Sequence, residues 1–429
     1  MQGIHSNKIT KKGTFFPKIF RALKILGPGI VTGASDDDPS GIATYSQAGA
    51  QFGLQTLWTA LITFPLMAAI QEMCARIGMV TDAGLTTTLK RHYPKLILYI
   101  MLLFSFPAII LNIGADIMGM AAVAHLLYPR VPIYLYSIFF TLILIYVIVK
   151  FPYQAVAQIL KWLCLALLLY IIVPFLTHTD WLNAFKHSVI PTIHFNKPFI
   201  MILVAILGTT ISPYLFFWQA TMEVEDQDHG SKKVVVNHRR LRNMQVDVNL
   251  GMFLSNFVMY FIILTAGTVL FSHGITNINT VDEAAQALKP IAGNFAYALF
   301  AIGILATGVL AIPVLGGSLS YMVAETFGWK MGLDKKFNQA KGFYTIMIIS
   351  LVAGVILNFV GISPIEGLIY TAILYGVTAP VLIAIVLHIG NNKKIMGKFT
   401  NNWVSNLIGV LTLILMTVAA VVLLYFQFN

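Results

Sequence analysis

The sequence predicts an all-α integral membrane protein of eleven transmembrane helices, built as two inverted five-helix halves, each with a broken first helix, plus one extra helix. Three observations predict it. The chain of 429 residues is 58% hydrophobic and 10% charged, with a mean hydropathy of +0.79, far too apolar for a soluble protein of this size. Apolar runs of about 20 residues, the length that crosses a bilayer, recur along nearly all of it. Helix breakers interrupt two of those runs, Gly27–Gly41 and Gly208–Tyr214, at the first helix of each half.

Taken in order, the first span (25–52) follows a basic segment (1–24) without a small-residue cleavage site, so it is expected to stay in the mature protein behind an N-terminal tail. The second (54–80) carries Glu72 and Arg76 four residues apart, a structural pair. The third (97–127) holds Asp116 and the Met118–Met120 stretch, the latter read as packing. The fourth (132–149) and fifth (152–176) complete a first repeat of about 25–176. The second repeat, about 198–388, comprises 198–221, 247–271, 292–326, 343–361 and 366–388; the extra helix is 403–427. Short loops make 25–427 a single transmembrane domain. Glu223–Asp228 and the basic residues after it read as a solvated loop, Asp247 as interfacial, and Trp181 and Trp329 as interfacial anchors. His125, His273 and His388 fall at span ends, away from the breaks, and no ligand role is expected of them.

Charge orients the chain. With the N-terminus cytoplasmic, 22 of the 28 Lys and Arg residues fall in inner segments, and only Arg130, Lys186, Lys197 and Lys289 in outer ones. That asymmetry predicts N-terminus inside and C-terminus outside, as in a multi-pass protein of a bacterial-type inner membrane. The net charge of +11 is therefore topological, and no nucleic-acid partner is expected. Cys74 and Cys164, the only cysteines, both lie in apolar runs and offer neither a disulfide framework nor a thiolate cluster.

The breaks carry the chemistry. Asp36, Asp37 and Asp38 stand beside Pro39 in a run that otherwise crosses the bilayer. Ionised groups at that depth are costly, and irregular backbone is tolerated there only where it lines an enclosed cavity. Asp36–Gly41 is thus read as half of a cation site. Pro213 breaks the sixth span, and paired interruptions point to a substrate site at the bilayer midplane, where helix C-termini present negative partial charge. The expected partners of the chain are a cation and the lipid bilayer, with no cofactor and no obligate protein partner.

The residues from Asp38-Pro-Ser-Gly41 through Gln47-Ala-Gly-Ala50 to Phe52-Gly53 resemble the first-helix signature of the NRAMP family of divalent-metal transporters, which reads DPGN, then QAGA and FG. Gln71–Thr81 is similar to that family's second-helix run ending ARLG and VTG, and Gly208–Tyr214 to its sixth-helix GATVMPH. The resemblance implies a LeuT-type fold. It also implies a metal held by the aspartate and asparagine of DPGN, a backbone carbonyl and the methionine of MPH. Those positions are here Asp38, Gly41, Thr209 and Ser212, and Tyr214 stands for the histidine. With the thioether gone, the site favours hard ions, and with Gly41 and Ser212 it has room for an ion that keeps its water. The pattern is similar to the NRAMP-related magnesium transporters. Asp37 and Asp116 are further candidate ligands, directly or through water, while Asp36, Pro39, Pro213 and Tyr214 are assigned to the pathway or its gating. The proton route that the resemblance implies is poorly supplied: Gly119 replaces a third-helix glutamate, and Phe343–Phe359 has no arginine. The expected activity is alternating-access import of divalent ions, chiefly hydrated magnesium with manganese as a lesser cargo, by uncoupled electrogenic uniport. The alternative is a proton-coupled manganese or iron symporter. Three adjacent acids disfavour a sodium-coupled amino-acid symporter, the Tyr-Asp and Gly-x-Gly-Asp contexts of an intramembrane aspartyl protease are absent, and the chain is expected not to be an enzyme.

Overall fold

The computed structural model describes residues 27–152, 169–177, 179–228, 236–289, 293, 296–356, 359, 361 and 363–428. The expected tail (1–24), most of the fifth span, Cys164 and Lys232–Lys233 lie outside the described residues.

The first span is two short helices, α1 (Pro28–Asp36) and α2 (Pro39–Phe52). There follow α3 (Trp58–Thr81), α4 (Leu85–His92), α5 (Lys95–Leu127), α6 (Ile133–Lys150), α7 (Leu169–Leu176) and α8 (Trp181–Val189). The sixth span is again two helices, α9 (Lys197–Thr210) and α10 (Pro213–Asp228). Then come α11 (His238–Val269), α12 (Val281–Ala285), α13 (Ala296–Phe327), α14 (Lys341–Ile356), α15 (Pro364–Asn391), α16 (Lys393–Met396) and α17 (Trp403–Phe428). No strand occurs among the described residues.

Eight helices are long and apolar enough to cross a membrane among the described residues, the sixth span being counted through its break. Of the other three expected spans, the first is divided into pieces of 9 and 14 residues. The fifth is described only in part, and the ninth, α14, is a 16-residue helix.

Local chemistry explains where the helices start. Proline stands in the first turn of α1, α2, α9 and α15, where its missing N–H would have no intrahelical partner anyway. Asn196, Asn237 and Asp180 cap α9, α11 and α8 with their side chains, and Ser363 and Glu366 form a reciprocal capping box on α15. α2 ends at Gly53, whose φ of 60° favours glycine.

The packing follows the inverted repeat. α1 and α2, the halves of the first span, pack on α11, and α10, the second half of the sixth, packs on α3; these pairings exchange when the first five spans are mapped onto the next five. The discontinuous helices also meet crosswise, α2 on α9 and α1 on α10. Close approach at these contacts requires glycine. A Cβ at Gly33 of α1 would collide with the carbonyl of Gly251 on α11, and one at Gly208 of α9 with the backbone of α15 at Ala372 and Gly376. α5, α13 and α15 pack around the breaks, and α17 lies against α9 and α15.

One sequence expectation gains detail here and another changes. α11 begins at His238, so Asp247 lies within the helix, and its carboxylate accepts from Gly27 N (3.2 Å) and Gly29 N (2.7 Å) at the start of α1. Glu223, read as part of a solvated loop, is buried in α10, which continues to Asp228; it accepts from the Gln219 amide at 2.9 Å. The Glu72–Arg76 pair does form, at 3.5 Å.

Candidate metal site

Each break leaves a backbone carbonyl without its helical partner. The fourth residue after Ser35 is Pro39, and the fourth after Thr209 is Pro213; neither proline has an N–H to give. The two carbonyls are satisfied differently. Tyr214, at the start of α10, donates its hydroxyl to Ser35 O across the molecule at 3.0 Å. Ser212 donates its hydroxyl to Thr209 O, three residues back, at 2.5 Å. A second tyrosine makes the reciprocal tie, Tyr45 of α2 meeting Thr210 Oγ1 of α9 at 3.1 Å.

Asp38 is the N-cap of α2, its Oδ1 accepting from Gly41 N at 2.7 Å. Its Oδ2 accepts from Asn112 Nδ2 of α5 at 3.0 Å. Asp36 and Asp37 turn toward α11, where the Ser255 hydroxyl lies 2.8 Å from Asp36 Oδ2 and 3.2 Å from Asp37 Oδ1. Among the described residues Asp36 Oδ1 and both oxygens of Asp116 are buried without a hydrogen bond of good geometry, although Ser212 lies near the Asp36 carboxyl and the Ser40 backbone near that of Asp116. Asp116 sits one turn along α5 from Asn112, on the same face and within electrostatic reach of Asp38.

Gly41 faces the gap between the breaks: a Cβ there would lie 3.4 Å from Asp36 O, from Thr209 Oγ1 and from the Tyr45 ring. The structure therefore gathers Asp38, Gly41, Thr209 and Ser212 at one locus, with the Asp36 carbonyl at its edge. It diverts the carboxylates of Asp36 and Asp37 toward Ser255. Pro39 packs toward Gly119 of α5 and Gly308 of α13, Pro213 opens α10, and Tyr214 lies 5.7 Å from Tyr375, ring to ring.

Asp36, Asp37, Asp38, Thr209 and Ser212 are each at most 5% exposed, so the locus is buried. Gln47 of α2 accepts from Ile278 N at 2.8 Å, and a Thr32–Gln219–Glu223 chain of hydrogen bonds links α1 to α10. No Lys, Arg or His lies within 4 Å of the carboxylates of Asp36, Asp37, Asp38 and Asp116 among the described residues. Buried carboxylates with no protein countercharge suit a cation as their partner. No three His, Cys, Asp or Glu side chains converge to hold a metal among the described residues, so the other groups at this locus that can offer a lone pair to a cation are carbonyls and hydroxyls.

Sequence reasoning missed Asn112, Ser255, Tyr45 and Thr371, a partner of Asn112 on α15. Asn112 and Ser255 are polar residues deep in apolar spans, the signal that singled out Asp116 four residues from Asn112. Tyr45 lies inside the motif itself.

Solved structures share this architecture. The structure superposes on a mutant of the manganese transporter of Eremococcus coleocola with a TM-score of 0.75, at 17% identity, covering 97% of this chain and 88% of that one. It superposes on Mhp1, a nucleobase-cation-symport-1 family transporter, with a TM-score of 0.58 at 14% identity, covering 94% and 91%. Curated relatives include proteins named divalent metal cation transporter MntH from Caldanaerobacter subterraneus subsp. tengcongensis, 24% identical over 94% of this chain and 93% of that protein, and from Clostridium acetobutylicum, 24% identical over 95% and 92%. The family model described as natural resistance-associated macrophage protein-like matches residues 29–426, and the chain thus belongs to the Nramp family, whose members are multi-pass membrane transporters and not enzymes.

Proposed function

We propose that this chain imports divalent cations by alternating access, with largely hydrated magnesium as its main cargo, manganese as a lesser one, and no coupled proton. Divalent transport is supported by the buried carboxylates that lack a protein countercharge and by the names of the MntH relatives. The observation that carries the magnesium reading is the Ser212–Thr209 hydrogen bond. A residue with sulfur at this position would offer a soft ligand and leave the Thr209 carbonyl open. Ser212 offers only oxygen and occupies one lone pair of that carbonyl. Hard ions that give up water reluctantly suit such a site. In this reading Asp38, Gly41, Thr209 and Ser212 line the site, Asp37 and Asp116 act on the ion through water, and Asp36, Pro39, Pro213 and Tyr214 shape the path. The N-terminus is inside and the C-terminus outside in a bacterial-type inner membrane.

Uptake needs no proton. A divalent ion moving down about 100 mV gains roughly 2 × 2.3 kcal/mol, which is about three decades of accumulation.

A second reading, proton-coupled manganese or iron symport, is favoured by Met259 of α11, whose sulfur lies 3.6 Å from Thr210 Oγ1 beside the sixth-span break. Uptake of magnesium, manganese and calcium into proteoliposomes at fixed membrane potential, with a pH dye inside, separates the two. Voltage-dependent magnesium uptake at constant internal pH is the expected result. Manganese uptake with acidification and no magnesium flux would replace the first reading with the second.

A further inference from the structure

We propose that Asn112 is the positioning residue for Asp38, and that Thr371 on α15 sets the direction in which its amide points. This rests on Asp38 being the cation's carboxylate, as proposed above. Asn112 lies on α5, Asp38 at the head of α2 and Thr371 on α15, so one buried chain of hydrogen bonds joins three helices at the break. An ionised carboxylate only accepts, which forces the amide to present its NH2 group to Asp38 Oδ2, at 3.0 Å. The amide oxygen is thereby turned to Thr371 Oγ1, at 3.0 Å, a hydroxyl whose one proton is shared between that oxygen and Leu368 O, 2.8 Å away. Ser40, two residues beyond Asp38, lies 3.4 Å from the same hydroxyl and donates to Leu368 O of α15 at 2.9 Å. All four side chains are buried.

The consequence is a fixed carboxylate. Gly41 N donates to Oδ1 and Asn112 to Oδ2, so protein donors hold both oxygens in place and fix the direction in which their remaining lone pairs meet the ion or its water. Because Asn112 and Thr371 sit on separate helices from Asp38, the grip on the cation depends on α5 and α15 being docked against α2. None of these residues needs to touch the ion.

The test measures magnesium and manganese uptake by the full-length chain in proteoliposomes, separating KM from maximal rate. Asn112→Leu keeps the volume and removes the amide; loss of a hydrogen bond to a charged group is worth about 1.5–3 kcal/mol, so magnesium KM should rise roughly tenfold or more. Manganese should suffer less, since a loosened carboxylate is free to ligate it directly. Thr371→Val should raise magnesium KM severalfold, and Thr371→Ser, which retains the hydroxyl, should restore most of that loss. An unchanged KM in Asn112→Leu, an equal fall in maximal rate for both ions at constant KM, or a Thr371→Ser variant as impaired as Thr371→Val would overturn the proposal. Should Asn112→Leu fail to assemble, the two Thr371 variants decide it alone. Failure of the underlying reading looks different: wild-type vesicles without divalent uptake, or uptake that survives Asp38→Ala, would sink both, whereas uptake that needs Asp38 and ignores Asn112 sinks only this one.

Discussion

The two breaks are built from the same device and finished in opposite ways. Both follow a proline that leaves a carbonyl without its helical N–H, at Ser35 in one case and Thr209 in the other. The first break carries three aspartates and is held by distant helices: Tyr214 on α10 serves its carbonyl, Ser255 on α11 its first two acids, and Asn112 on α5 its third. The sixth-span break carries no charge, and its own Ser212 serves its own carbonyl. Charge buried in a bilayer has to be braced from outside its own segment, while a neutral break can be closed by the residue next door. Under the proposed function this puts attraction for the ion on one half of the inverted repeat and tuning of its coordination on the other.

The comparison breaks most completely at Asp38. Removing its carboxylate takes away the one acid at the locus shared by both breaks, and Asp38→Ala should lower divalent uptake at least about a hundredfold, an uncompensated charge change worth some 3 kcal/mol. Retention of uptake by this variant would mean that the ion is held elsewhere. Ser255→Ala probes the brace instead of the charge. It strips the hydroxyl that Asp36 Oδ2 and Asp37 Oδ1 share, and leaving a buried acceptor unsatisfied costs about 1–3 kcal/mol. A loss of thermal stability at a preserved order of ion preference is the outcome that fits; a changed ion order would place Asp36 or Asp37 against the ion itself.

At the neutral break the expected effect is one of preference, not of loss. Ser212→Met supplies sulfur and also releases the Thr209 carbonyl, so manganese KM should fall and magnesium KM rise, each by roughly tenfold, or about 1.4 kcal/mol. Ser212→Ala releases the carbonyl without adding sulfur and should shift magnesium much less. If Ala and Met behave alike, the freed carbonyl and not the thioether sets the preference.

This contrast also marks what could be read from the sequence. The charged break was legible because Asp36-Asp-Asp-Pro39 contradicts its apolar surroundings, and the fold class followed from the paired interruptions. The partners that brace it were not, because they lie far along the chain: 74 residues separate Asp38 from Asn112, 219 separate Asp36 from Ser255, and 179 separate Ser35 from Tyr214. Tyr214 drew attention only as the residue standing where a histidine was expected, and its service to Ser35 required the crosswise packing of α10 on α1. The service of Asp247 to the backbone N–H groups at the start of α1 was hidden in the same way, because it needed the packing of α1 on α11.

The smallest expected effect separates the two tyrosine ties. Tyr45 and Tyr214 each join a half of one discontinuous helix to the opposite half of the other, and a change to Phe removes one hydroxyl from either. The groups left behind differ. Thr210 still donates to Ile206 O at 2.6 Å after Tyr45→Phe, so that change should cost about 0.5–1 kcal/mol, the low end for one hydrogen bond. Ser35 O after Tyr214→Phe is a buried carbonyl whose helical partner is a proline, and its exposure to an apolar interior should cost about 1–3 kcal/mol. Thermal melting of the two variants in one detergent should place Tyr214→Phe below Tyr45→Phe, with transport reduced in the same order. The reverse order would mean that the end of α1 finds another donor, and that the first break is braced by its acids alone.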